Sequence, residues 1–196
     1  MNRLCFFVTT ALLTLILQSC GGYAPLKVNL APKINVATSN EGKNIAIGIR
    51  VVDERPSKSL GRLTSAYGSA AEITSTEDLD KVIKAQLIDA LQKKGFNPVE
   101  FSATKEPRLT IEIRLLEYST SNGIGSDGVY VKGALKASAI RASDNYEHLY
   151  RSENLEHVIW APMATAEFNE KLINSALTEL LNQVFIDKEL FKFLAG

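Results

Sequence analysis

Cysteine is nearly absent from this chain, and what there is sits at one end. Of 196 residues only Cys5 and Cys20 carry a thiol. The residues after Cys20 therefore have neither disulfides nor thiolate metal sites, and a domain built from them relies on a packed core. Histidine is equally sparse: His148 and His157 are the only two. Their odd spacing puts them on opposite faces of an extended chain. Two such ligands are too few for a zinc site, so no metal and no cofactor is expected. An excess of either charge is missing too, with 22 Lys and Arg against 22 Asp and Glu. That balance excludes nucleic-acid binding through phosphates, and it leaves no polybasic patch for an anionic lipid surface. No H-E-x-x-H, G-x-S-x-G or P-loop pattern occurs, so the chain does not read as an enzyme.

A long apolar run is also lacking. Leu4 to Leu17 gives 14 mostly apolar residues, short of the roughly 20 that a spanning helix needs. With Arg3 ahead of it and small residues behind, the run reads as a secretory signal. Leu17-Gln18-Ser19-Cys20 closes it in the pattern of a bacterial lipobox. Residues 1–19 are then a lipoprotein signal peptide and Cys20 is the lipidation site, carrying diacylglyceryl and palmitate chains. Two or more chains, at roughly 0.8 kcal/mol per buried CH₂, anchor a protein stably without basic help. Gly21 follows where known inner-membrane lipoproteins carry Asp. Resemblance to those lipoproteins favours the outer membrane, with the domain facing the periplasm.

Three regions follow from composition. Residues 1–19 are the signal, and residues 20–44 are the lipidated N-terminus and a Gly-, Pro- and Asn-bearing tether, with an extended piece around Lys33 to Val36. Residues 45–196 form one domain, large enough to bury a core. Ile45–Val52 is a β-branched, nearly continuous apolar run that reads as a central strand, ended by Asp53-Glu54-Arg55-Pro56. Ser75 with Asp78 fits a capping box. Leu79, Val82, Ile83, Leu87, Ala90 and Leu91 then make a helical stripe that stops at Gly95. Asp80 and Lys84 stand at pairing distance on that helix. Leu109–Leu115 alternates strictly, Val129–Arg141 alternates again, and residues 146–159 make a less regular third strand. Short turns between them argue an antiparallel meander. After Ala161-Pro162 a last helix carries Phe168, Leu172, Ile173, Ala176, Leu177, Leu180, Leu181 and Val184, with Phe185–Leu194 as a separate turn. The expected fold is α+β: an antiparallel sheet with two main helices on one face.

Gly123-Ile-Gly-Ser-Asp-Gly128 matches G-x-G-x-x-G, but a strand pattern follows it where a dinucleotide site needs a helix. It reads as a hairpin loop. Asp53, Glu54 and Arg55 cluster after the central strand. The plain reading is a solvated strand end with a local ion pair; the sharper one is a binding site. Trp160, the lone tryptophan, reads as a core or lid residue or as a partner anchor.

Val51-Val52-Asp53-Glu54-Arg55-Pro56-Ser57-Lys58-Ser59-Leu60-Gly61 resembles the signature segment of the YajG-like lipoproteins of Gram-negative bacteria. The likeness continues through Gln92-Lys93-Lys94-Gly95-Phe96, Tyr150-Arg151 and Ala161-Pro162. It implies a periplasm-facing lipoprotein of the outer membrane and no settled activity. Asp53, Arg55, Pro56 and Gly61 match the motif without any catalytic role. The expected function is a non-enzymatic interaction or assembly module of the cell envelope. Its partners would be the membrane, through Cys20, and an envelope protein met by Asp53, Arg55, Pro56, Gly61 and Trp160. The alternative is a lipid or small-ligand carrier with an apolar pocket under the helices. The sequence gives no oligomeric state.

Overall fold

The apolar run that reads as a central strand is one. The computed structural model describes residues 26–64, 70–123, 126–158 and 166–196. In it β2 (Ala46–Asp53) lies inside the sheet, with Ile47 and Ile49 buried. Before it comes β1 (Leu26–Val28). After it come β3 (Gly61–Thr64), β4 (Ala70–Ser75), α1 (Leu79–Lys93), β5 (Asn97–Glu100), β6 (Arg108–Gly123), β7 (Ser126–Arg141), β8 (Asp144–Val158), α2 (Ala166–Ile186) and α3 (Lys188–Ala195). The class is α+β.

The sheet corrects one expectation. It is mixed, not antiparallel: of the seven pairings among the described residues, β1–β4, β2–β5, β2–β6 and β3–β6 are parallel. The antiparallel meander is confined to β6–β7–β8, with a turn at Ala142 and Ser143 between β7 and β8, and β3–β4 is a separate antiparallel pair. Between β2 and its parallel neighbour β5 the chain passes through β3, β4 and α1, a crossover long enough to return it parallel.

β6 organises the sheet. Along one side it pairs with β7 from Arg108 to Gly123. Along the other it pairs with β2 from Arg108 to Ile113, and with β3 only at Tyr118. Directly opposed residues share a face, so Ile49, Leu109 and Ala139 form one row, and Val51, Ile111 and Ala137 the next. A bulge between Ile113 and Leu115 shifts the register by one. It keeps Leu116 and Tyr118 on the buried face although they are even-numbered where Ile111 and Ile113 are odd. All three helices cover that face: α1 packs on β2, α2 on β7 and β8, and α3 on β7. Leu87, Ile111, Leu135, Leu177 and Leu180 are fully buried between the layers. Gly133 lets Leu180 sit on the sheet, since a Cβ there would lie 2.3 Å from its methyl.

Two local expectations fail for physical reasons. The Ser75–Asp78 capping box does not form. Asp78 is the N-cap but caps nothing with its side chain; its carboxylate takes Lys81 at 2.6 Å instead, and Ser75 Oγ accepts the Glu77 N–H at 3.2 Å. Lys84 leaves Asp80 for Glu100 on β5, at 3.3 Å.

Part of the stretch expected as a tether belongs to the core. Val28, Leu30, Pro32 and Ile34 are buried in alternation with exposed residues. The backbone between them is gripped by α2. Asn29, Ala31, Lys33 and Asn35 donate their N–H groups to Glu170 Oε2, Asn174 Oδ1, Thr178 Oγ1 and Asn182 Oδ1, at 2.7–3.0 Å. Alternate extended residues and every fourth helical residue advance at nearly the same rate, about 6–7 Å per step, so one column of helix side chains serves as a strand edge.

Candidate functional site

The motif segment lies where the sheet forks. β2 ends at Asp53, opposite Ile113 of β6. The next N–H, from Glu54, still reaches Ile113 O at 3.1 Å. β6 then has no strand neighbour on that side until Tyr118, whose N–H donates to Leu60 O at 2.5 Å. Arg55 spans the gap. Its Nη1 donates to Leu116 O at 3.4 Å and to Ser59 O at 3.3 Å. Its Nε and Nη2 grip both oxygens of Asp53 at 2.8 and 2.9 Å. This is the two-pronged geometry that a planar guanidinium favours.

The pair is buried, contrary to the plain reading of a solvated strand end: the side chains of Arg55 and Asp53 are 5% and 3% exposed. Lys58 closes the cluster from solvent, 2.9 Å from Asp53 Oδ2 and itself 75% exposed. Burial pushes the Asp53 carboxyl up, but the hydrogen bonds from Arg55 and then Lys58 outweigh it. The carboxyl is held at about 2, against an ordinary 3.8.

Gly61 is required by geometry. Its φ is +138°, and a Cβ there would lie 2.0 Å from Tyr118 O. β3 can therefore approach β6 only with glycine at this position. Ser59 Oγ ties the turn, donating to Gly61 O at 3.2 Å. Pro56, Ser57 and Lys58 are left exposed at the tip. Two surface grooves flank it. One, of about 460 Å³, is lined by Pro56, Ser59, Arg62, Glu72, Arg114 and Glu117 among others. The other, of about 590 Å³, runs between Lys58 and the start of α1, past Glu77, Asp78 and Asp80.

Thus the fold brings Asp53, Arg55, Pro56 and Gly61 into one unit. It makes Asp53, Arg55 and Gly61 its frame and Pro56 part of its tip. Cys20 and Trp160 lie outside the described residues. His148 is exposed, its ring 4.6 Å from that of Tyr150. Among the described residues no cluster of three or more His, Cys, Asp or Glu could hold a metal. The glycine motif falls on the β6–β7 hairpin, with Gly123 opposite Ser126, as the strand pattern after it requires.

A second polar centre was not anticipated. Asp187 caps α3, its Oδ1 accepting the N–H groups of Glu189 and Leu190 at 3.0 and 3.1 Å. Its Oδ2 takes the hydroxyls of both Tyr146 and Tyr150 at 2.6 Å. Burial first, then these bonds, raise Tyr146 to about 12 and Tyr150 further. Burial pushes Asp187 up, but the two hydroxyls hold it below its usual value. The capping signal at Asp187 is present in the sequence; the i, i+4 tyrosines of a strand-like stretch that share it are not a signal in themselves.

No curated protein matches the sequence. Similar crystal structures include a neuraminyllactose-binding hemagglutinin homologue from Helicobacter pylori, 14% identical, over 84% of this chain and 96% of that one, with a TM-score of 0.47. An uncharacterized protein is 9% identical over 81% and 97%, at 0.45. A lipoprotein from Neisseria meningitidis is 12% identical over 71% and 97%, at 0.34. A family model described as an uncharacterized lipoprotein matches residues 32–195, from the α2-bound segment to the end of α3. With the Asp53–Gly61 segment inside that match, the chain belongs to the YajG-like family of uncharacterized lipoproteins.

Proposed function

We propose that the chain is a non-enzymatic docking module, held on the periplasmic side of the outer membrane by lipid on Cys20 and presenting a rigid tip to another envelope protein. Membership of a lipoprotein family supports a lipid anchor. No helix among the described residues is long and apolar enough to cross a membrane. The observation that carries the docking reading is the contrast within residues 53–61. The Asp53–Arg55 frame is buried, while the Pro56–Lys58 tip is exposed between two grooves. A tip fixed in advance loses little conformational freedom on binding. Trp160 is proposed as a second anchor for the same partner. The carrier reading needs room between helices and sheet, where Leu87, Ile111, Leu135, Leu177 and Leu180 are fully buried.

The test is in-cell crosslinking of the full-length, lipid-bearing protein, followed by mass spectrometry. A Pro56→Ala, Lys58→Ala variant is expected to lose the dominant envelope partner while its unfolding free energy falls by no more than about 1–2 kcal/mol. Retention of the partner, or recovery of phospholipid with no protein, overturns the reading. The anchor has its own check. Cys20→Ala is expected to leave the precursor uncleaved or mislocalised, and processed protein still in the outer-membrane fraction would refute it.

A further inference from the structure

Among the described residues β8 pairs with β7 alone, so its other side is an open edge of the sheet. The ladder settles which of its backbone groups face outward. Ile113 O accepts from Glu54, so Ile113 turns its backbone groups toward β2. Its β7 partner Leu135 then faces β8, opposite Tyr150. Backbone direction alternates along an antiparallel strand. Tyr150 therefore bonds to β7, and Glu147, Leu149 and Arg151 turn their N–H and C=O groups to the free edge. A bond from α2 agrees: Gln183 Nε2 reaches over the edge to Arg151 O at 3.0 Å.

We propose that this edge joins two copies of the chain, their β8 strands antiparallel about a two-fold axis at Leu149. The edge is self-complementary in that register. Leu149, 39% exposed, meets its own counterpart. Glu147 of each copy lies opposite Arg151 of the other, so two ion pairs form across the axis. Opposite charges directly across a ladder are favourable and like charges are not. Sliding each strand by one residue puts Glu147 against Glu153, or Leu149 against Glu147. Within one copy Arg151 faces only Ala134, and Glu147 keeps its bond to Lys136 at 2.7 Å on the β7 side. Gln183 gives up Arg151 O to the Glu147 N–H of the other copy.

The helix layer fits the same axis. Ile186, 73% exposed, stands three residues past Gln183 and four past Asn182, between their two columns on α2. It adjoins Asp187, which Tyr146 and Tyr150 hold from either side of His148. Ile186 thus stands near the level of His148, one residue from Leu149 along β8. α2 lies over β7 and β8. With strands about 4.8 Å apart across the junction, the two α2 helices come within about 10 Å, a packing distance, and the two Ile186 side chains meet.

The full chain in detergent provides the test. A hydrogen-bonded cross-strand pair has Cα atoms about 5.5 Å apart, within disulfide reach. Leu149→Cys is expected to give a covalent dimer under mild oxidation. Val99→Cys, at a site 40% exposed on the opposite edge strand, is expected not to. Equal crosslinking of the two, or none, overturns the proposal. The charges are read by analytical ultracentrifugation. Arg151→Glu is expected to weaken the dimer at least tenfold, and Glu147→Arg in the same chain to restore it. A dimer unchanged by Arg151→Glu, or a folded double variant that stays monomeric, also overturns it.

Discussion

Two stretches of backbone among the described residues have a side with no strand against it, and those sides are held in opposite ways. Along β6 between Ile113 and Tyr118, one buried guanidinium fills the gap. Along residues 29–35, four side chains of α2 share the task, each partly in water. The first arrangement concentrates stability in one ion pair. Its loss leaves the buried Asp53 carboxylate with the exposed Lys58 alone, and removing one partner of such a pair is far more costly than the pair is worth. The second spreads stability over bonds that water can replace one at a time. A site that must not deform suits the first, and a segment that only needs to lie flat suits the second.

Breaking the concentrated case gives the largest expected effect. Arg55→Ala is predicted to lower unfolding free energy by about 3–5 kcal/mol in urea denaturation. Replacing both partners, with Asp53→Leu and Arg55→Met, is predicted to recover part of that loss, which separates a stranded charge from a lost contact. The pair also carries a pH signature. Its carboxyl is held at about 2 against 3.8 in the unfolded chain. The stability from its ionisation is therefore complete above about pH 4 and is lost as pH falls through 2. The gap between the native chain and Asp53→Asn should narrow over that window.

The tyrosine centre lies between the two extremes, with two donors on one carboxylate. Tyr150→Phe is predicted to cost about 1.5–3 kcal/mol, the range for bonds to a charged group. A raised tyrosine stabilises the fold below its unfolded value of 10, and that contribution is lost as pH rises through about 12, the value for Tyr146. The native chain should therefore lose more stability between pH 10 and 12 than a Tyr146→Phe, Tyr150→Phe variant, measured by the same denaturation. In the distributed case, Asn174→Ala and Thr178→Ala are each predicted to cost about 1 kcal/mol. Hydrogen exchange should rise first at Ala31 and Lys33 respectively. Lys58→Ala, at a position 75% exposed, should cost less than about 1 kcal/mol.

The elements with a strong local period were legible in the sequence: β2 from its β-branched run, α1 and α2 from their stripes, and β6 and β7 from alternation. The relative direction of strands was not, because a strand's period is two residues in either direction. α1 between β2 and β5 was the clue that a parallel pairing was available. The segment at residues 28–36 alternates just as visibly, but its glycine- and proline-bearing neighbours masked it. Its partners Glu170, Asn174, Thr178 and Asn182 sit every fourth residue on the face of α2 beside the apolar stripe, a pattern that says nothing until both segments are seen together. At the motif, the ion pair of Asp53 and Arg55 could be read from the residues. Its burial could not, because what buries it is β6, about 60 residues further along.

The α2-bound segment also sets a length. If everything up to residue 44 hung free, a lipid on Cys20 would allow the domain to roam about 85 Å from the bilayer at full extension. With the chain fixed to the domain from Leu26 onward, a lipid on Cys20 would allow at most about 20 Å. The volume the domain could sweep would shrink by about 70-fold, and any partner in the same membrane would be met at a correspondingly higher effective concentration. A bond ladder that makes no contact with a partner would then govern how often the Pro56 tip finds its target.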